Sequence, residues 1–365
     1  MSRFNLFLSG IRVLDLSRHL PGPLATLLLA DMGADELRTM GPSTQRGGSA
    51  YFEAVNAGKT IRRMNLKRDD ERKEFYALAR EADILVESFR PGVMDRLRAG
   101  YEQLRTLNPR LIYCSLSGYG SGGPIERAAG HDINYLARSG AMSPGHDVTS
   151  STADLPVADN AAALFAVITI LGALHGRARD GRGCRIDLAL ADAVMPMQLF
   201  RLAALNAAEA SSPAAGLLNG GAAYYRVYET SDGRRVSLGA IEPKFWRAFC
   251  EAAGCPEWVP RHGDAFPQRA LIDSVSALFR RMTFADCESR FGAADCCYAP
   301  VVDLKEAVES THLRERGLVR QGADGVFEAL FPALVDGERP SSRASLRENE
   351  PAAGAAPPAG ASKCV

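Results

Sequence analysis

The sequence predicts an α/β protein: a large domain built on a parallel sheet with helices packed against it, then a smaller α+β region. Three observations carry that expectation. The chain opens strand–helix–strand, which points to a parallel sheet with crossover helices. Strand-like and helix-like segments then alternate through most of the first two hundred residues. Beyond them the composition loosens at Ser211-Ser212-Pro213-Ala214-Ala215-Gly216, and a hairpin signal follows.

The elements come in this order. Residues 10–16, Gly-Ile-Arg-Val-Leu-Asp-Leu, form a buried strand, and Pro21-Gly22-Pro23 breaks the chain. Leu24 to Met32 is rich in Leu and Ala, hence helical, with Gly33 as its stop. Asp35 to Thr39 forms a second strand. Asp69 to Ala82 is an amphipathic helix, Asp83 to Ser88 a third strand, and Tyr101 to Leu107 a helix. Arg110 to Leu116 is a fourth strand and leads into Gly118-Tyr119-Gly120-Ser121-Gly122-Gly123-Pro124. Asp159 to His175 is the clearest helix; Arg185 to Leu190 is a strand and Asp192 to Ala208 another helix. Tyr224 to Glu229 and Arg234 to Leu238 flank the turn Ser231-Asp232-Gly233, and a helix runs from Pro243 to Ala253. The expected large domain covers 1–205, a linker 206–220 and the small α+β domain 221–310; the Ala/Pro/Gly-rich segment 351–365 reads as an unstructured tail. There is no internal repeat.

Composition narrows the function. Of 365 residues 46% are hydrophobic and 24% charged, enough for two real cores. Lys+Arg and Asp+Glu balance at 43 each, so no global charge draws the chain to nucleic acid or a membrane, and an anionic ligand needs a local basic cluster. No apolar run reaches bilayer length; the nearest is Ala161 to Leu174. The apolar stretch near Met1 is too short for a secretory signal. The eight cysteines never fall in a C-x-x-C spacing, so buried free thiols in a cytoplasmic setting are expected, with no metal site.

Ligands of open parallel sheets bind beyond the carboxyl ends of strands. Two elements meet that rule: Arg90 after the third strand and the glycine loop after the fourth. No G-x-G-x-x-G opens the first helix, which argues against a dinucleotide site. Just past the glycine loop stands Gly130-His131-Asp132-Ile133-Asn134-Tyr135. His131 could give or take a proton near neutrality, as carbon-acid chemistry requires, or merely cap a helix. The triplet alone decides nothing, since Gly145-His146-Asp147 repeats it. Asp159 heads an apolar run: it reads equally as an N-cap or as a base beside helix N–H groups that suit an enolate. Glu242 precedes Pro243 at a helix start, where helix acidity alone explains it, or it orients a histidine as a triad carboxylate does. Arg38, Lys59 and Arg90 are the basic candidates for a phosphate. The run Arg62 to Arg68 reads as a solvated face.

Taken together the chain resembles the family III CoA-transferases, and within them most closely the α-methylacyl-CoA racemases. The resemblance runs from Gly10 to about residue 345. It rests on residues 10–16 with Pro21-Gly22-Pro23, Leu29-Ala-Asp-Met-Gly-Ala34, Phe89-Arg-Pro-Gly-Val-Met94, Asn108-Pro-Arg-Leu-Ile-Tyr113, Leu116-Ser-Gly-Tyr-Gly120, Gly130 to Ala137, and Gly239-Ala-Ile-Glu-Pro243. It implies a Rossmann-like large domain, a small α+β domain, a segment 311–350 returning to the large one, and two chains interlocked as rings. It implies that His131 and Asp159 are the acid/base pair and that Glu242 supports the histidine. CoA enters as part of an acyl-CoA thioester substrate, with no separate cofactor. Arg38 and Arg90 match CoA-contacting arginines, and Gly130, Asp132, Ile133, Asn134 and Tyr135 line the acyl-CoA site. Family transferases use the aspartate as a nucleophile that forms an acyl anhydride, and usually lack the histidine; a histidine with an aspartate fits racemisation. Where the family tends to glycines after the aspartate, this chain has Asn160-Ala161-Ala162-Ala163, whose extra methyls could crowd the thioester or alter the substrate chosen.

Overall fold

The computed structural model of the protein describes residues 2–41, 50–142, 155–206, 216–321 and 326–348, with backbone alone for 36–41 and 348. The chain divides into two compact units, residues 1–141, 153–199 and 317–365 in one and residues 142–152 and 200–316 in the other. The expected tail, and all but the ends of the expected linker, lie outside the described residues.

The first unit carries strands β1 (Arg12–Leu16), β2 (Asp35–Gly41), β3 (Thr60–Arg63), β4 (Ile84–Glu87), β5 (Ile112–Ser117) and β6 (Arg185–Ala189). Between them lie helices α1 (Pro21–Asp31), α2 (Ala50–Val55), α3 (Asp69–Glu81), α4 (Val93–Arg96), α5 (Tyr101–Leu107), α6 (Asp132–Arg138) and α7 (Val157–Asp180). The strands line up as β3-β2-β1-β4-β5-β6, every neighbouring pair parallel, and Arg347–Glu348 adds a parallel strand beside β3. This is the doubly wound order: the chain leaves β1 toward one edge, then returns to build the other, so the loops after β1 and β4 diverge over a crevice. Strands covered on both faces read as continuous apolar runs. In β1, Val13 packs into one helix layer and Leu14 and Leu16 into the other.

The structure departs from the sequence reading at three elements. Thr60–Arg63 is a strand the sequence did not reveal, with Ile61 buried, while the basic run keeps its solvated face: Arg63, Lys67 and Arg68 are exposed. The helix expected over Asp192–Ala208 is broken by Pro196 into α8 (Leu190–Ala193), a 3₁₀ turn at Met195–Gln198 and α9 (Leu199–Asn206), because proline lacks the N–H a continuous helix would need. And α7 is longer than its apolar run. At 24 residues it is long and apolar enough to cross a membrane by length and composition. In this fold its alanine stripe, Ala158, Ala162 and Ala166, is fully buried in the core. Near its end Arg177 is buried and pairs with Asp83 at 2.8 Å.

The second unit holds an antiparallel sheet, β7 (Tyr225–Glu229), β8 (Arg235–Gly239) and β9 (Tyr298–Val301), ordered β7-β8-β9. The Ser231-Asp232-Gly233 turn joins the first two strands, with Gly233 at φ 75°. Strand β9 has no alternating signal and contains Pro300, tolerated because β9 is an edge. Helices α10 (Pro243–Ala253), α11 (Arg269–Phe279) and α12 (Phe284–Phe291) bring Trp246, Phe249, Phe279 and Phe291 into a fully buried aromatic core.

Candidate active site

The loops after β1 and β4 meet at the switch point of the sheet. The Arg18 N–H donates to Ser88 Oγ at 2.7 Å, and the Arg18 guanidinium lies 4.8 Å from the Phe89 ring centroid. The next residue, His19, adopts φ 65°, unusual for a residue with a Cβ and a recurrent mark of functional turns. Arg90, exposed, follows Phe89 at the carboxyl end of β4.

The glycine loop after β5 delivers α6 to the same end of the sheet. Its geometry turns on Tyr135, whose hydroxyl donates to the Gly130 carbonyl at 2.6 Å and whose ring meets Tyr119 edge-on at 5.3 Å. A Cβ on Gly130 would stand 2.7 Å from Tyr135 Cε1 and 2.8 Å from Tyr119 Oη, and one on Gly118 2.8 Å from Tyr135 Oη. Gly130→Ala is therefore expected to displace the tyrosine pair and cost about 1–3 kcal/mol of stability by overpacking. Urea unfolding with near-ultraviolet circular dichroism checks this; a loss under about 0.5 kcal/mol, the range of an indifferent surface change, defeats it.

His131 is the N-cap of α6, its N–H donating to Asn134 Oδ1 at 3.0 Å, and its ring is exposed. Asp132, the first residue of α6, accepts the Asp159 backbone N–H at 3.0 Å. That bond ties the start of α6 to the first turn of α7. Asp159 is not the N-cap: Pro156 holds that place, and Asp159 is the third helical residue, so its carboxylate is not spent on capping. Burial pushes its carboxyl up to about 6, the neighbouring Asp132 adds to the rise, and His131 opposes it. Tyr135 is raised to about 12 by burial and then by Asp159, with Arg90 pulling the other way. These couplings gather His131, Asp132, Tyr135, Asp159 and Arg90 in one neighbourhood.

Two members of that neighbourhood carried no sequence signal. Tyr51, on α2, is raised by burial and by Asp159. His19 is lowered by burial, then by His131 and Arg18.

Other candidates fall elsewhere. Lys59 is corrected: its side chain is fully buried, and its Nζ bonds Asp15 Oδ2 at 2.9 Å, Thr26 Oγ1 at 2.7 Å, Asn56 Oδ1 at 3.0 Å and the Pro23 carbonyl at 3.0 Å. An ammonium so enclosed holds the fold and cannot reach a phosphate. Arg38 lies in β2 opposite Leu14 and Thr60, and its side chain is outside the described residues. Ile133 is exposed. Ala161, Ala162 and Ala163 are buried in the α7 core, so their methyls fill the interior and do not crowd a ligand. Glu242 lies in the second unit. It is the N-cap of α10 but makes no side-chain capping bond, which leaves its exposed carboxylate unspent. Among the described residues no cluster of His, Cys, Asp and Glu could hold a metal ion.

A family model described as CoA-transferase family III matches residues 8–359. The chain belongs to the family III CoA-transferases. An alpha-methylacyl-CoA racemase of Homo sapiens is 35% identical over 323 residues, covering 85% of this chain and 81% of that one. An acetyl-CoA:oxalate CoA-transferase of Acetobacter aceti is 31% identical over 364 residues, covering 91% of each. A solved CAIB/BAIF family protein from Brucella suis superposes with a TM-score of 0.78 at 25% identity, over 94% of this chain and 96% of that one. This family III member is thus an enzyme whose relatives include both racemases and transferases, and its α/β architecture is theirs.

Proposed function

We propose that the enzyme interconverts (R)- and (S)-2-methylacyl-CoA thioesters by 1,1-proton transfer, with His131 and Asp159 as the two proton sites. The observation that carries this reading is the pairing itself. An imidazole and a carboxyl raised to about 6 share one neighbourhood, joined through the Asp132 bond to the Asp159 N–H. Racemisation needs two such groups on opposite faces of a carbon, since one alone returns the proton to the side it left. A carboxyl near 6 is populated in both forms around neutrality, as an acid/base catalyst should be. The developing charge on the thioester oxygen is held at the positive end of α7. Glu242 orients the histidine. Arg38 and Arg90 hold the CoA phosphates, and CoA enters as part of the substrate, with no separate cofactor. The acting species is a homodimer in which each site draws on both chains. Apolar surface supports this: α7 leaves Leu164 and Ile168 exposed, and α9 leaves Leu199, Phe200 and Leu205 exposed.

The test is a single epimer of a 2-methylacyl-CoA in D₂O. Label is expected at the α-carbon, with loss of optical purity. If several branched acyl-CoAs stay unlabelled while CoA moves to a free acid through a hydroxylamine-sensitive adduct on Asp159, the transferase reading replaces this one.

The pH profile carries a second test. Where Asp159 acts as base, the rate rises as pH passes upward through about 6. Asp132 raises the Asp159 carboxyl, so Asp132→Asn, whose amide oxygen can still accept the Asp159 N–H, is expected to move that rise to lower pH. A midpoint that stays put or moves upward contradicts the assignment.

A further inference from the structure

We infer that His262 is a positioning residue that sets the backbone from which Glu242 projects. The inference rests on the role proposed for Glu242 and deepens it.

Glu242 caps a helix without spending its carboxylate on it, and the next residue is Pro243. Its direction therefore depends on the short link Gly239-Ala240-Ile241, which starts at the last β8 residue, Gly239, opposite Tyr225. Besides the internal bond from the Ile241 N–H to the Gly239 carbonyl at 2.9 Å, three bonds tie that link to its surroundings. The Gly239 N–H donates to the Cys297 carbonyl at 2.9 Å, and the Ala240 N–H to the Tyr224 carbonyl at 2.8 Å. The third bond alone comes from a side chain: His262 Nε2 lies 2.8 Å from the Ile241 carbonyl. A carbonyl only accepts, so Nε2 carries the proton there.

The ring that makes this bond is itself held from several directions. It stacks on Tyr224 with centroids 4.2 Å apart and planes 17° from parallel. The His262 carbonyl accepts from Gln268 Nε2 at 3.1 Å, and buried Gln268 also binds the Asp264 carbonyl at 3.1 Å and accepts the Ala223 N–H at 3.0 Å. The same 3₁₀ segment, Pro256–Gly263, anchors α10, because Trp246 Nε1 donates to the Trp258 carbonyl at 3.0 Å. One segment thus grips both the helix that Glu242 caps and the peptide that precedes it. A simple helix start needs no such side-chain tie to its preceding carbonyl. A carboxylate that must meet a partner group within a few tenths of an ångström does.

The experiment measures α-proton exchange of a 2-methylacyl-CoA in D₂O for His262→Phe, His262→Gln, Glu242→Gln and the double variant Glu242→Gln/His262→Phe. Phenylalanine keeps the stack on Tyr224 and removes the N–H; glutamine restores an N–H near Nε2. His262→Phe is expected to lower kcat about 10- to 100-fold with KM little changed, as small misplacements of catalytic groups do. His262→Gln should recover part of that loss. In the double variant kcat should fall no further than in Glu242→Gln, because both changes disable one unit. Thermal melting confirms that each variant folds. Wild-type kcat in His262→Phe, or losses that multiply in the double variant, overturn the inference while leaving the role of Glu242 intact. Full activity in Glu242→Gln overturns the role of Glu242 and this inference with it.

Discussion

His131→Ala and Asp159→Asn are each expected to lower racemisation on the order of 10²–10⁴-fold, the usual worth of one general acid/base group. Their residual chemistry should differ. With two proton sites on opposite faces, each site serves one epimer as base and the other as acid. Removing His131 leaves Asp159 able to abstract from one epimer, so that epimer still exchanges its α-proton with D₂O while the other does not. Removing Asp159 reverses the pattern. Exchange measured separately on each pure epimer, with chiral analysis of recovered thioester, reads this directly. Equal residual exchange from both epimers in either variant would refute a two-site mechanism. Loss of all activity in Asp159→Asn with none in His131→Ala would point to Asp159 alone, as a nucleophile.

The sequence exposed the scaffold better than the site. β1, α1 and β5 were legible because two-sided burial writes unbroken apolar runs, and Gly33 and Pro21-Gly22-Pro23 punctuate them. The β7–β8 hairpin was legible from its turn residues. Strand β3 was not: of its four residues only Ile61 is buried, and two are arginines. Strand β9 was hidden by Pro300 on a sheet edge, where a missing N–H costs nothing. His131 and Asp159 were candidates by type, but what couples them is the bond from the Asp159 N–H to the carboxylate of Asp132, a residue the sequence offered as structural or as part of the CoA-site wall without showing what it holds. A contact across 27 positions leaves no periodicity. His19 and Tyr51 were missed for the same reason: their relevance comes from where the strands and helices end. Lys59 misled because an isolated lysine after a glycine looks like a surface residue until its distant partners Asp15, Pro23 and Thr26, 33 to 44 positions away, are known.

Lys59→Met is expected to cost about 3–5 kcal/mol of stability, because breaking a buried pair leaves a buried charge uncompensated. Asp15 and Lys59 are both 0% exposed. Burial pushes the lysine down from its ordinary value, and the Asp15 carboxylate holds it up. Without the ammonium, Asp15 keeps only neutral donors: the Ser17 N–H at 2.9 Å, the Ser17 hydroxyl at 2.5 Å and the Thr26 hydroxyl at 2.6 Å. Asp15→Asn/Lys59→Met, which removes both charges and keeps an acceptor, should recover much of the loss. Urea unfolding of the three proteins decides it; a single-variant loss under about 1 kcal/mol, or a double variant no more stable than the single one, rules the account out. The consequence reaches the site. The Asp15 network fixes Ser17, whose Cβ lies 2.1 Å from where a side chain on Gly22 would begin, and so holds the turn that carries Arg18 and His19. The lysine that looked like a phosphate ligand in the sequence thus braces the turn of Arg18 and His19 from beneath, and a variant that survives folding should show it as a raised KM for acyl-CoA.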